Sequence, residues 1–385
     1  MCLLDLRAEE KSNMTMDNKP FLTVMIPVYN GAEYVAEAIR SALDQPCRDL
    51  EVLVLDDGSK DDTLTICQRL AEEDSRVHVV THANVGLGAN RNDGFTYVHG
   101  AWLVFLDHDD VMAPGVYSEQ TKAVLQKCLS QGIEMVVNTR ARADEHLGHV
   151  RMDPLGLRGV FPAHSPESWM LPYELATNWY SVDLIETNHL RFAETRPEME
   201  SIFRHQCAYL SRKIVFCDSA FIELRRESEG QITRTWDITR AAAVRWSNYA
   251  TMPAWHEEHG SDAYAVAKAW ETLDEVIREF FVCAVRNHMD MPRIHAVLEE
   301  NGVNKSMCQP HDGYRSAINR MLRFFGTNRL MALRSTVLVD LILRRITGQF
   351  RGSLGESKLL TDDEMCRIAR DYPQHLLSVL EEAES

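Results

Sequence analysis

The chain is short of positive charge. Among its 385 residues, lysine and arginine number 41 against 57 aspartates and glutamates, a formal net charge of −16. That balance argues against a DNA or RNA partner, because nucleic-acid affinity comes chiefly from basic side chains that neutralise phosphates. An ordered cysteine pattern is missing too. The nine cysteines, at positions 2, 47, 67, 128, 207, 217, 283, 308 and 366, are odd in number and never spaced Cys-x-x-Cys. Neither a disulfide framework nor a zinc knuckle is indicated, and the usage fits a reducing compartment. No apolar run approaches the length that spans a bilayer. The opening MCLLDLRAEEKSN has no basic start and no long apolar core, so it does not read as a signal peptide. A cytoplasmic location is the expectation.

What the sequence does contain is an alternation of short apolar runs with helical periodicities. Residues 1–20 are polar and unpatterned and read as a loose lead-in. Phe21 to Ile26 reads as a buried strand stopped by Pro27, and Val35, Ala38, Ile39, Ala42 and Leu43 then keep helical spacing. Leu50 to Leu55 is a second strand, ending in Asp56, Asp57, Gly58 and Ser59. Val77 to Val80 is a third, followed by the loop His82 to Asn92. Strands alternating with helices at this spacing predict an α/β fold, a mainly parallel sheet flanked by helices in the Rossmann-like manner. Ligands of such sheets bind beyond the carboxyl ends of the strands. The loops at 27–30, 56–59, 84–91 and 107–110 are therefore expected to converge. Gly86 and Gly88 lack the third glycine of a dinucleotide fingerprint and follow the third strand rather than the first, which rejects a dehydrogenase.

The fourth strand is the stretch on which the others depend. AWLVFLDHDD, residues 101–110, is an apolar run that ends in three aspartates within four positions. Carboxylates packed this tightly repel one another, a burden that a bound cation or a ligand's hydroxyl groups relieve. A divalent-metal site and an acidic turn that caps the next helix are both open readings of these residues alone.

Taken together and in register, PVYNGAEYVAEAIRSAL, VLVLDDGSKDDT, ANVGLGANRNDG and FLDHDD resemble the inverting family 2 glycosyltransferases with the GT-A fold. The resemblance is strong over residues 21–115 and fainter to about 235. It implies a nucleotide-sugar donor, most often a uridine diphosphate (UDP) sugar. By position, Pro27 and Tyr29 would line the base pocket, Asp57 would bond the uracil edge with Asp56 in support, and Asn84 and Arg91 would hold base and phosphates. Asp107 would face the ribose, Asp109 would coordinate a Mn2+ or Mg2+ ion bridging the phosphates, and Asp110 would stand near the donor sugar. A hard cation prefers such carboxylate and phosphate oxygens.

Transfer needs a base for the acceptor hydroxyl. Similar enzymes carry a Glu-Asp pair there. In RPEMESIFRHQCAYL the alignable positions hold Met199 and Glu200, so Glu200 is the candidate base and Glu198 the alternative; a charged helix start is the competing reading of both. Trp179, in ATNWYSVDLI, resembles an acceptor-side tryptophan, and is equally readable as core. Arg225, Arg226 and Thr233, in LRRESEGQITR, resemble a segment that closes over the diphosphate.

From about Trp236 helical periodicity takes over: Val266, Trp270, Leu273, Ile277 and Phe280 share a face, and Thr361 with Glu364 forms a capping-box signature. The expected organisation is a lead-in (1–20), a GT-A domain (21–240, with a donor half 21–115 and an acceptor half 116–240) and a C-terminal helical domain (241–385). Residues 331–351 read as a basic amphipathic helix, suited either to an anionic membrane surface or to packing on its neighbours or a second subunit. The function implied is metal-dependent, inverting sugar transfer to a glycan, lipid-linked or protein acceptor, in polysaccharide or surface glycan synthesis. The alternative is a catalytically impaired nucleotide-sugar-binding or assembly protein on the same fold.

Overall fold

The computed structural model describes residues 19–165, 175–194, 199–218, 220–227, 237–303 and 358–384. The chain divides into two units. The first comprises Met1–Phe192, Arg204–Ser228 and Leu354–Ser385, and the second Ala193–Phe203 and Glu229–Ser353.

In the first unit, β1 (Leu22–Val28), α1 (Val35–Leu43), β2 (Leu50–Asp56), α2 (Thr63–Glu73), β3 (Val77–Thr81), α3 (Leu87–Gly94) and β4 (Trp102–Phe105) follow one another as strand and helix in turn. These four strands lie parallel, in the order β3-β2-β1-β4. Every residue of β1, β2 and β4 is buried, as a sheet covered on both faces requires.

Beyond β4 the chain adds β5 (Val111–Met112), α4 (Glu119–Ser130), β6 (Ile133–Asn138), β7 (Arg140–Ala143), β8 (Arg151–Asp153), β9 (Gly159–Pro162), β10 (Asn178–Ser181), α5 (Val182–Thr187), α6 (Met199–Leu210), β11 (Lys213–Cys217) and β12 (Glu223–Arg226). Here the sheet is mixed rather than mainly parallel. β10 runs antiparallel to both its neighbours, β4 and β6, and β9 antiparallel to β11, within an eight-stranded sheet.

The strand reading needs one correction at Pro27, which lies within β1 instead of ending it. Met25 and Pro27 turn their backbone groups to the β4 side, where Leu106 N–H donates to the Met25 carbonyl and the ladder then ends. The N–H that proline lacks is not needed there. On the other side β1 continues pairing with β2 through Val28 and Asp56.

One buried charge lies among these apolar strands. Glu51 on β2 is 4% exposed; it accepts from Thr23 Oγ1 (2.6 Å) and from His99 N (2.8 Å), and its second oxygen lies 3.0 Å from His99 Nδ1. Burial pushes its pKa up, yet the His99 and Thr23 hydrogen bonds outweigh burial and hold it below the usual range. A depressed folded-state pKa contributes stability that is present above the unfolded value, about 4.3, and is lost as pH falls through the folded one. Glu51→Leu is therefore expected to cost roughly 1–3 kcal/mol near pH 7, with the gap to wild type narrowing below about pH 4. Urea melts across that range test it; a gap independent of pH would refute the assignment.

The second unit is helical: α7 (Ile238–Tyr249), α8 (Met252–Glu258), α9 (Ala263–Arg286) and α10 (Met291–Glu300). Asp237 caps α7 by accepting from Thr239 N and Arg240 N. Trp246 packs edge-on against Phe280 and Phe281 at 5.7 and 5.9 Å, so the periodic face of α9 does form a core.

The last described segment departs from the expected boundary at 240. β13 (Lys358–Leu359), α11 (Asp362–Arg370) and α12 (Tyr372–Glu384) return to the first unit. β13 pairs with β8 in a five-stranded mixed sheet, β13-β8-β7-β12-β5. Tyr372 is fully buried, donates to Asn138 Oδ1 (2.9 Å) and tilts against Trp179 at 6.1 Å. The capping box of Thr361 and Glu364 is formed. Residues 331–351 lie outside the described residues, and among those described no helix is long and apolar enough to cross a membrane.

Candidate functional site

Four loops meet at the carboxyl ends of β1 to β4, joined by hydrogen bonds, an ion pair and one packing contact. The β1 and β2 loops are laced by Asn30 N to Ser59 Oγ (3.0 Å), Lys60 N to Asn30 Oδ1 (2.7 Å) and Gly31 N to Thr63 Oγ1 (2.9 Å). Asp56 accepts from Ser59 N and, at 2.7 Å, from Thr81 Oγ1 on β3. Asp57 accepts from the amides of Val85 (2.7 Å) and Gly86 (3.0 Å), so this carboxylate organises the loop after β3. Gly86 has φ +92° and Gly58 φ +70°. A Cβ on Gly58 would also stand 2.9 Å from Asn84 N, so the turn needs glycine for both conformation and space.

The β4 loop closes the ring. Arg91 on α3 is 1% exposed; its Nη2 donates to Asp107 Oδ1 (2.9 Å), and its guanidinium faces the Phe105 and Phe192 rings. A Cβ on Gly31 would lie 2.2 Å from His108 Cδ2, so the histidine ring packs directly on the β1 loop. Asp107 and Asp109 are half-buried, while Asp110 is 4% exposed and accepts from Arg226 N at 2.7 Å. Burial, then the charges of Asp109 and Asp107, push the Asp110 pKa well above the carboxylate range. Its expected place beside the donor sugar is corrected: it faces inward and anchors the turn to β12.

Other candidate residues fall as follows. Tyr29 (40% exposed), Asn84 and Val85 (51% exposed) stand open to solvent around the loops, whereas Pro27 is buried in β1 and cannot line a pocket with its ring exposed. Trp179 is 0% exposed in β10, between Tyr117 and Tyr372 at 6.1 Å each. The acceptor-side assignment of Trp179 is thus overturned by burial, and the core reading holds. Glu200 is half-buried in the first turn of α6. Glu198 and Thr233 lie outside the described residues.

Arg226, a site candidate through its place in the segment expected to close over the diphosphate, is 4% exposed and turned into the fold. Strand alternation holds the explanation: of two adjacent arginines on β12 one must face inward. Sequence reasoning lacked the pairing of β12 with β5, which sets that strand beside the acidic turn.

Comparison with known proteins agrees with this geometry. Residues 23–147 match the family model described as Glycosyl transferase family 2. Their sequence is similar to that of family 2 glycosyltransferases. Over 108 residues the chain is 35% identical to the chondroitin synthase of Escherichia coli, covering 28% of this chain and 16% of that protein. It is 25% identical over 235 residues to glycosyltransferase GlyA of Streptococcus pneumoniae, covering 58% of this chain and 32% of that one. The chain thus spans a third or less of the length of these two relatives. Among solved structures, residues 1–349 of S. aureus TarS in complex with UDP-GlcNAc superpose with a TM-score of 0.60 at 16% identity, covering 89% of this chain and 97% of that one. The fold is of the GT-A type, with an additional helical region.

Proposed function

We propose that the chain transfers a sugar from a UDP-sugar to an acceptor hydroxyl with inversion at the anomeric carbon, assisted by Mn2+ or Mg2+. The observation that carries this reading is the bonding of four loops into one ring at the strand ends, with Asp107 and Asp109 on its rim. The UDP-GlcNAc complex of TarS, a protein of similar fold, supports the choice of donor.

The donor set fits a hard cation, since all candidate ligands are carboxylate oxygens. Among the described residues no three His, Cys, Asp or Glu side chains could hold a metal by themselves. Asp109 would therefore share the ion with the donor's phosphates, the usual arrangement for Mg2+. When bound, the ion supplies charge neutralisation for the departing diphosphate. Tyr29 and Asn84 flank the base, Asp57 fixes the amides around it, and Arg91, buried against Phe105 and Phe192, holds the Asp107 carboxylate in place. Glu200, or Glu198, takes the proton from the attacking hydroxyl, so that attack and departure proceed from opposite faces. The acceptor is a glycan, lipid-linked or protein hydroxyl reached from the cytoplasm, with residues 331–351 available for peripheral membrane contact and a homo-oligomer compatible with the same segment.

The test is calorimetry with UDP and GDP, each with and without Mn2+, followed by UDP release from a panel of UDP-sugars. UDP binding strengthened by Mn2+, with release from at least one sugar and a fall in kcat for Glu200→Gln at unchanged donor affinity, is expected. Binding without release from any donor would favour the non-catalytic reading, and absence of UDP binding would overturn both.

A further inference from the structure

Arg226 bonds to several segments at the acidic turn. Its backbone N donates to Asp110 Oδ1 (2.7 Å), and its Nε to the Asp109 carbonyl (2.8 Å). Nη1 donates to the Glu145 carbonyl after β7, and Nη2 to Glu37 Oε2 (2.5 Å) on α1. The guanidinium also sits 4.6 Å from the centre of the Tyr34 ring. One planar fork thus joins the helix after β1, the turn after β4 and the loop after β7, a span that a guanidinium can bridge and an ammonium cannot.

The carbonyl it holds belongs to Asp109, whose carboxylate is the proposed metal ligand. A residue that fixes the backbone of a ligand fixes the direction of the ligand itself. Glu37 completes the arrangement. Its side chain is 53% exposed against 5% for Arg226, so the pair is anchored from the solvent side of α1.

We propose that Arg226, held by Glu37, is a positioning residue that sets the Asp107–Asp110 turn for the metal-diphosphate group. The inference rests on the glycosyltransferase reading above. Arg226 touches no reacting atom. Its effect is on how well the turn receives the ion.

The experiment measures UDP affinity by calorimetry with and without Mn2+ and reads the ratio, in wild type, Arg226→Lys, Glu37→Gln and the control Arg69→Gln on exposed α2. Wild type and the control are expected to share one ratio. Arg226→Lys should lower it about tenfold, in the range for lost outer partners of metal ligands, and Glu37→Gln should lower it in the same direction by less. Should Arg226→Lys fail to fold, the half-exposed Glu37→Gln carries the test. A lowered melting temperature with an unchanged ratio in both variants would reduce Arg226 to a structural strut and overturn the proposal. A wild type that binds no UDP fails the glycosyltransferase reading, whereas a wild type that gains from Mn2+ as much as its variants fails this inference alone.

Discussion

Asp109→Asn is expected to lower Mn2+-stimulated release of UDP from a UDP-sugar by about a thousandfold, the scale for removing a group that stabilises transition-state charge. The fold should survive the change. Asp109 is half-buried, and its carbonyl bond to Arg226 belongs to the backbone, which the substitution keeps. Relief of repulsion should offset part of any packing loss, since the Asp109 charge helps to raise the pKa of buried Asp110. The expected melting temperature therefore lies within about 4 °C of wild type, the shift of roughly 1 kcal/mol in a large domain. Steady-state release with increasing Mn2+ separates the outcomes. If the variant keeps wild-type turnover at saturating metal, Asp109 is not the ligand.

This prediction draws on a part of the molecule that was legible in the sequence. β1 to β4 are short, mainly apolar runs ended by polar residues, the usual pattern of strands in a parallel sheet covered on both faces. Their parallel order then forces the four loops to one end. Pro27 misled because its missing N–H matters only on a side that pairs, and pairing is not visible in a single sequence. Trp179 misled for a related reason: an aromatic beside a motif can face a ligand or the core, and β10 had to be seen between β4 and β6 before burial could decide. Arg226 and Glu37 lie 189 positions apart in the chain, and no local pattern announces a contact at that separation.

The larger misreading concerned the C-terminus, and it yields the second large effect. A chain ended at residue 353 should keep the first unit's fold intact if the boundary at 240 divided the protein cleanly. Instead, loss of the first unit's cooperative fold is expected. The removed segment carries Tyr372, Leu376, Val379 and Leu380, each at most 1% exposed and part of the same apolar cluster as Val136, Trp179 and Val215. Fully burying a large apolar side chain contributes about 1.5–3 kcal/mol, so these four together supply roughly 6–12 kcal/mol, comparable with the whole stability of an ordinary domain. The loss would also leave Asn138, 0% exposed on β6, without the Tyr372 hydroxyl that donates to it. Tyr372→Ala isolates the centre of this contact and should cost about 3–5 kcal/mol, as for other buried aromatics. The Arg158–Glu382 pair (2.9 Å) at the same junction is exposed and screened by solvent, and its loss should matter far less. Near-UV circular dichroism and urea melts of the shortened chain, Tyr372→Ala and Glu382→Gln give the ranking directly. A shortened chain that melts with the wild-type midpoint would return 358–384 to the role of an appendage. The ordering expected here makes that segment the closing piece of the first unit's core.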